Sequence, residues 1–110
     1  MSGGTKNDLG KPQISLIPIE ALWGMATAFT YGSRKYGQFN FKEGIVYTRL
    51  ADAAYRHLSA FMDGEDNDAE SGNNHLYHCL ASVAMLTFMH AKRSDMDDRY
   101  KPKPKEDNGS

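Results

Sequence analysis

Apolar residues recur at intervals of three or four positions in three separate segments, which is the period of an amphipathic helix. In the first segment, Pro18 precedes the apolar stripe and Glu20 lies in the first turn, where the helix dipole favours an acid. Gly32 and Gly37 mark its end, because glycine commonly terminates a helix. The apolar stripe of this first predicted helix consists of Ile19, Leu22, Trp23, Ala26 and either Phe29 or Thr30.

Two further segments with the same period follow along the chain. The second predicted helix ends before Gly64, and the third begins at Asn73 or Asn74, either of which suits an N-cap. Lys92 and Arg93 lie at the end of the third segment, where the helix dipole favours cations. The second stripe contains Leu50, Ala53, Ala54, His57, Leu58, Phe61 and Met62. The third stripe contains Leu76, Leu80, Val83, Leu86 or Thr87, and His90.

Three main helices and weak strand signals predict an all-α fold. Only residues 13–17, with the sequence QISLI, have the composition of a short edge strand. We expect a domain at residues 9–93 between a flexible arm at residues 1–8 and a disordered charged tail at residues 94–110. The arm and the tail contain too few apolar side chains to offset the entropy lost on ordering. Because so small a domain has a limited core, we expect a homo-oligomer to complete it.

The loop between the first two predicted helices, residues 30–44, has the sequence TYGSRKYGQFNFKEG and mixes aromatic, cationic and glycine residues. Glycine lets backbone amides approach a ligand, cations hold phosphates, and aromatic faces stack on bases. The alternative is a connection whose aromatic side chains only cover the core. The candidates for nucleotide binding in this loop are Tyr31, Arg34, Lys35, Tyr36, Phe39 and Asn40.

The composition argues against binding of duplex nucleic acid or of a membrane. A net charge of −1 gives no overall attraction for polyanions, so an anion site must be local. The longest apolar stretch, residues 80–89, contains Ser82 and Thr87 and is too short to span a bilayer. The start of the chain is polar and unlike a signal peptide, and the single Cys79 excludes an intramolecular disulfide. We therefore expect a cytoplasmic protein, in the host cell if a phage encodes it.

Acids, amides and two histidines are concentrated in residues 64–79, GEDNDAESGNNHLYHC. His75 and His78 are three residues apart, so both rings can face one side of the third helix. The positive end of a helix dipole disfavours a cationic side chain, and a histidine must be neutral to bind a metal. His57 lies in the second apolar stripe, about 10 Å along the axis from the loop, and joins them only if the acidic loop folds back over the helix end.

Histidines accompanied by several carboxylates suit a hard divalent ion, and we predict Mg²⁺ or Mn²⁺ with phosphate oxygens completing its shell. The segment does not match the calcium-binding loop of an EF-hand, because Ser71 and Tyr77 stand where that loop has a glycine and a glutamate. A zinc site is weakly indicated, because the chain has a single cysteine. The alternative is a core histidine at position 57 with solvent-facing histidines at 75 and 78. The predicted metal ligands are His57, Glu65, Asp66, His75 and His78, of which His57, Glu65 and Asp66 are also the predicted catalytic residues.

The polar face of the second predicted helix carries Arg49, Asp52 and Arg56. Asp52 and Arg56 are four residues apart, the spacing of an ion pair along a helix. In the functional interpretation, Arg56 binds a phosphate, and Asp52 orients the guanidinium group of Arg56. In the alternative, the pair is exposed and adds little to stability. All three residues are included among the predicted nucleotide contacts.

Three stretches of the chain form a recognisable series: LGKPQISLIPIEAL, TYGSRKYGQFNFKEG and RLADAAYRHLSAFMDGEDNDAESGNNHLYHC. In order and spacing they resemble a phage family described as the dATP/dGTP diphosphohydrolase N-terminal domain, and the similarity runs from about Asn7 to Ala91. The motifs are Gly-Lys-Pro at 10–12, Tyr-Gly at 31 and 36, Arg-His at 56–57, Gly-Glu-Asp at 64–66, Ser-Gly at 71–72, and His75 with His78. The resemblance implies metal-dependent hydrolysis of purine deoxynucleoside triphosphates to monophosphates and pyrophosphate.

Three hypotheses about function follow. The first is a metal-dependent diphosphohydrolase of purine (deoxy)nucleoside triphosphates, in which Arg34, Lys35 and Arg56 hold the triphosphate and Tyr31, Tyr36 or Phe39 stacks on the purine. The second is a non-catalytic protein that binds and sequesters a host signalling nucleotide with the same loop. The third is a small helical interaction module whose histidines have only structural roles.

Overall fold

The computed structural model describes residues 10–104, so the predictions for residues 1–8 and 105–110 lie outside it. Three α-helices account for most of this part: α1 Ile19–Tyr36, α2 Tyr47–Met62 and α3 His75–Lys92. Short 3₁₀ turns occupy Ile14–Leu16, Asn40–Glu43 and Ser94–Met96. Between residues 10 and 104 no strand forms, and residues 13–17 contain a 3₁₀ turn instead of the short edge strand. The predicted all-α class with three main helices is confirmed.

The helix ends follow the local signals of the sequence. The carbonyl of Pro18 accepts the first backbone bonds of α1, from the N–H groups of Ala21 and Leu22. The helix runs through Gly32 and stops at Gly37, whose φ of 101° is easy for glycine alone. At the start of α3, the Asn74 side chain accepts a hydrogen bond of 2.8 Å from the N–H of Leu76. Asn74 is therefore the N-cap among the two predicted candidates.

Helix α3 is central, because both α1 and α2 pack mainly against it. Helix α1 approaches α3 closely at Gly24, where a Cβ atom would lie 2.4 Å from Cδ1 of Tyr77. Any side chain at position 24 therefore collides with the Tyr77 ring. This glycine lets the two helices approach at the aromatic ring and fixes where they cross.

The buried core lies where α2 begins and α3 ends, and it is built around Tyr47, Leu50 and Met89. Phe41 of the loop packs on it, with ring centroids 5.6 Å from Phe29 and 5.5 Å from Phe88. For Phe41, the loop aromatic does cover the core, as the alternative interpretation expected. Met89 lies fourteen positions after His75 along the helix, which places the core about 20 Å from the first turn of α3.

The segment after α3 contacts the start of α2. The carboxylate of Asp98 accepts hydrogen bonds from the N–H of Thr48, at 2.9 Å, and from the Thr48 hydroxyl. Val46, which precedes α2, offers no side-chain cap, so Asp98 supplies a cap from a distant part of the chain. The division into arm, domain and tail stays a prediction, but residues 94–98 contain a 3₁₀ turn and this contact.

The surface of the described residues contains many large apolar side chains, including Trp23 on α1, Met62 on α2 and Val83 on α3. Such exposure is typical of a surface that another molecule covers. Oligomerisation remains a prediction. Among residues 10–104, no helix combines the length and the hydropathy that crossing a lipid bilayer requires.

Candidate metal centre

The acidic loop folds back over the end of α2, as the inclusion of His57 in a site requires. Gly64 and Gly72 have φ of 100° and 76°, which allow two tight changes of chain direction. The N–H of Asp68 donates to the carbonyl of Asn73 at 2.8 Å. The N–H of His75 donates to the carbonyl of Asp66 at 2.9 Å. These backbone bonds close the loop on itself and hold its acids beside the first turn of α3.

Three side chains converge between α2, the loop and α3. One ligand atom each of His57, Asp68 and His75 lies within 4.8 Å of the others. The two Nδ1 atoms of His57 and His75 are 2.8 Å apart. Neighbouring ligands of an octahedral ion with bonds near 2.1 Å are separated by about 3 Å, so this spacing suits chelation after a small adjustment. His57, Asp68 and His75 are defined here as the metal triad.

Glu65 fixes the orientation of His75, which is only 5% exposed. Nε2 of His75 lies 2.8 Å from Oε1 of Glu65, so the imidazole donates its Nε2 proton to the carboxylate. This tautomer leaves the lone pair of His75 on Nδ1, the atom that faces His57. A carboxylate behind a metal-binding histidine is the usual arrangement in metalloproteins. Glu65, which the sequence predicted to be a metal ligand, therefore contacts the triad indirectly, through the ring of His75.

His78 lies against the triad without being a member of it. Its ring stacks on His57 at 4.9 Å between centroids, and its Nε2 lies 2.7 Å from Oγ of Ser71. Burial lowers the pKa of His57, and the neighbouring His78 lowers it further. Burial also lowers the pKa of His78 below its ordinary value. Both rings are therefore neutral near pH 7, which leaves lone pairs for a metal.

Asp68 is the ligand candidate that the sequence analysis did not select. Partial burial raises the pKa of its carboxyl, but hydrogen bonds from Ser71 outweigh that effect, and the resulting pKa is below the ordinary value. The N–H of Ser71 donates to Oδ2 at 2.9 Å. Asp68 is therefore ionised and oriented. Its position in a run of acids was visible in the sequence, but only the fold of the loop distinguishes it from Asp66, whose backbone carbonyl makes the contact with His75.

Glu70 ties the end of α1 to the acidic loop. Its Oε2 accepts a hydrogen bond of 2.7 Å from the Tyr31 hydroxyl and forms an ion pair with Lys35. Lys35 and then Tyr31 lower the pKa of Glu70, and the bond to Glu70 raises the pKa of Lys35 and of Tyr31. The Tyr31 ring also meets His78 edge-on, with centroids 5.9 Å apart. Two predicted nucleotide contacts, Tyr31 and Lys35, are therefore engaged within the protein.

The other predicted nucleotide contacts are spread over the surface. Arg34 lines a groove beside Tyr31 and Ser71, whereas Nζ of Lys42 lies 4.6 Å from the ring of Phe39. Tyr36 is exposed next to Lys35, and Asn40 begins a 3₁₀ turn. These positions place Arg34 near the triad and Phe39 close to Lys42 of its own loop.

On α2, Arg56 directly precedes His57, whereas Arg49 lies eight residues before His57, about 12 Å away along the helix axis. Among the salt bridges of residues 10–104, none joins Asp52 to Arg56, although both lie on the exposed face of the helix. Arg56 is thus the member of this group that directly adjoins a triad residue in sequence.

Comparison with known proteins identifies the family. A curated protein named dATP/dGTP diphosphohydrolase, from Salmonella phage PMBT28, is 32% identical over 96 residues. The match covers 87% of this chain but 33% of the relative, so the chain spans about a third of that protein's length. No solved structure matches. The sequence family described as "dATP/dGTP diphosphohydrolase, N-terminal" matches residues 1–99, and the chain belongs to this family.

Proposed function

We propose that this chain forms a metal-dependent domain that hydrolyses purine deoxynucleoside triphosphates to the monophosphate and pyrophosphate. The observation that carries the proposal is the convergence of His57, Asp68 and His75 within 4.8 Å. The printed name of the phage relative, dATP/dGTP diphosphohydrolase, supports the substrate class. The groups that would meet phosphates are the exposed guanidinium groups of Arg34 and Arg56.

The residues proposed to hold the metal are those of the triad, with Glu65 behind His75. When bound, the ion lowers the pKa of a water molecule and neutralises charge that builds up on the phosphates. Two imidazole nitrogens and one carboxylate suit Mn²⁺ better than Mg²⁺, because Mg²⁺ prefers oxygen ligands. The proposed cofactor is therefore Mn²⁺, ahead of Mg²⁺.

The hydrolysis itself needs a water oxygen, a leaving group and a base. The water oxygen bonds to the α-phosphorus, the bond from that phosphorus to the bridging oxygen breaks, and pyrophosphate leaves with the electron pair. The proton of the water passes to a carboxylate of the loop. We assign this role to Asp66, because its carboxylate is exposed, its backbone carbonyl accepts from the N–H of His75, and Glu65 already accepts a bond from His75.

The proposal is tested by pyrophosphate release from dATP, dGTP, dCTP and dTTP in the presence of Mn²⁺. His75→Ala removes a triad member and is expected to lower the rate with dATP and dGTP by on the order of 100-fold or more, exceeding the usual loss from a residue behind a ligand. Asp68→Asn is a second variant that leaves the buried ring of His75 in place. Helical circular dichroism verifies that both variants are folded.

The matched control is His90→Ala, which removes an exposed histidine at the opposite end of α3. This variant is expected to keep the wild-type rate. Equal rates in wild type, His75→Ala and Asp68→Asn would show that the triad does not take part in hydrolysis, and the proposal would fail.

A non-catalytic nucleotide-binding domain is the second candidate. The observation in its favour is the chain of hydrogen bonds from His57 through His75 to Glu65, which is complete without an ion if Nδ1 of His57 carries a proton. In that case the histidines brace the hairpin of α2 and α3, and the nucleotide stays intact. Recovery of unaltered dATP from the denatured complex after long incubation with Mn²⁺ favours this function.

A further inference from the structure

A groove open to solvent runs between α1 and the acidic loop, next to the metal triad. It encloses about 330 Å³, which is within the range of small-ligand pockets. Aromatic, hydroxyl, amide and cationic groups all line it, the mixture that recognises a base and its sugar phosphate. The residues of this α1 groove that matter here are Trp23, Thr27, Tyr31, Arg34, Ser71 and Asn73.

Trp23 provides a flat apolar surface in this groove. The side chain is 65% exposed, and it is the single tryptophan of the chain. The sequence pattern assigned Trp23 to the buried stripe of the first helix, but the structure leaves it in solvent. A nucleobase stacks well on such a surface, and a purine covers more of it than a pyrimidine does.

The α1 groove and the metal triad share a wall. Ser71 lines the groove, and its N–H donates to Asp68 at 2.9 Å, while its Oγ lies 2.7 Å from His78. Tyr31 lines the groove on the side of α1 and contacts His78 with the edge of its ring. A ligand in the groove is therefore separated from Asp68 of the triad by Ser71 alone. Arg34 also lines the groove.

Asn73 offers the polar group that reads the edge of a base. Its backbone is fixed, because its carbonyl accepts from Asp68 at 2.8 Å and its N–H donates to Oγ of Ser71 at 3.1 Å. Among the hydrogen bonds of residues 10–104, none engages the Asn73 side-chain amide. An amide has both a donor and an acceptor, so it can pair with the N6 and N7 atoms of adenine. It can also donate to guanine.

We propose that the α1 groove binds the purine base of the nucleotide, with Trp23 stacking on the ring and the Asn73 amide pairing with its edge. The inference rests on the proposed function only for the class of ligand, a purine nucleoside triphosphate. It assigns the base to a groove on α1, whereas the triad takes the phosphates. Tyr36 and Phe39 have no part in stacking.

Tryptophan fluorescence tests the proposal directly, because the only emitting indole is in the groove. The full chain is titrated with dATP, dGTP, dCTP and inorganic tripolyphosphate in the presence of EDTA. Quenching is expected at lower concentrations of dATP and dGTP than of dCTP, and tripolyphosphate is expected to cause none. Emission that changes with protein concentration but not with purines would assign Trp23 to a contact between copies and overturn the proposal.

Calorimetry with Trp23→Leu measures the same binding without the fluorophore. Purine affinity is expected to fall at least 10-fold, whereas Tyr100→Leu, which removes an aromatic ring that is 87% exposed elsewhere, is expected to change nothing. Undiminished purine affinity in Trp23→Leu would overturn the proposal.

Asn73→Asp tests the edge contact separately. A carboxylate accepts hydrogen bonds but cannot donate them, so it keeps the bond from N6 of adenine and loses those to O6 and N7 of guanine. The ratio of dGTP to dATP dissociation constants is expected to rise several-fold. An unchanged ratio would contradict the role of Asn73.

The two proposals fail in different ways. His75→Ala is expected to lower the rate of pyrophosphate release by on the order of 100-fold or more while purines still quench Trp23. In one outcome, pyrophosphate release depends on His75, but purines do not quench Trp23 and the Trp23→Leu variant binds them as tightly as the wild type does. The assignment of the base to the α1 groove is then wrong, and the hydrolase proposal stands. If purines quench Trp23 but His75→Ala keeps full activity, the metal proposal is wrong and the groove stands.

Discussion

One carboxylate oxygen of Glu65 accepts a hydrogen bond from His75, so the effect of substituting Glu65 can be predicted from this contact. Glu65→Gln keeps an acceptor for the Nε2 proton but removes the negative charge that strengthens the imidazole as a ligand. We expect the affinity for Mn²⁺ to fall by about 10- to 100-fold. The maximal rate should return when Mn²⁺ is raised, because the base is assigned to Asp66.

The measurement is the rate of pyrophosphate release as a function of Mn²⁺ concentration. Glu20→Gln, an exposed glutamate in the first turn of α1, serves as the control and should leave the Mn²⁺ dependence unchanged. A rate that stays low at saturating Mn²⁺ would instead identify Glu65 as the proton acceptor.

Individual residues of the site were only partly predictable. His57, Glu65 and His75 meet in the structure, although the sequence made the inclusion of His57 conditional on the acidic loop folding back over the helix end. Asp68 escaped prediction because all four acids of residues 65–70 look equivalent until the backbone bonds of the loop select one. Trp23 was misjudged, because the buried residues of α1 are Gly24 and Ala28, and Trp23 lies on a different side of the helix.

At the scale of elements, the crossing of α1 over α3 depends on the absence of a side chain at Gly24. Gly24→Ala would place a Cβ 2.4 Å from Cδ1 of Tyr77, so the ring or the helix must move. We expect a loss of about 1–3 kcal/mol in the free energy of unfolding, the usual range for an overpacked contact. Urea denaturation followed by circular dichroism measures it.

Gly32→Ala is the matched control within the same helix, because nothing lies within 4 Å of a Cβ built there. Alanine favours helix more than glycine does, so this variant should gain about 0.5–1 kcal/mol. The two substitutions are therefore expected to have opposite signs. Destabilisation of similar size at both positions would mean that the contact with Tyr77 is not the cause.

The helices themselves were largely readable from the sequence, because hydrophobic period and terminal residues are local properties. Asn74, Gly37 and Gly64 mark helix ends or turns where their chemistry indicated. The close approach of Gly24 to Tyr77 was not readable, since it joins residues on two helices and carries no periodic signal. The cap from Asp98 was hidden for the same reason.

At the scale of the whole molecule, the segment after α3 stabilises the beginning of α2. Hydrogen bonds from the Thr48 hydroxyl and N–H lower the pKa of Asp98 below its ordinary value of 3.8. Folding therefore favours the ionised form. The stabilisation is complete above the unfolded-state pKa and is lost as pH falls through the lower pKa of the folded state.

We therefore expect Asp98→Asn to have a lower Tm than the wild type at pH 7, and the two Tm values to converge as pH falls below about 3.8, the ordinary pKa. Thermal unfolding measured between pH 7 and pH 2.5 gives both curves. Asp63→Asn, an exposed acid that follows α2, is the control and should show no such loss at pH 7. A difference between Asp98→Asn and wild type that is the same at every pH would exclude the charge as its source.

The Glu70 contact has a consequence for which anions the domain can accept. Lys35 and Tyr31 already bind the carboxylate of Glu70, so an anion from solution must displace an intramolecular ligand. An ion with one negative charge would gain little by such an exchange. If the domain binds polyphosphates as proposed, a ligand that also engages Arg34 would offset the loss of Glu70. The contact would then favour densely charged ligands over the acetate or chloride of the surrounding solution.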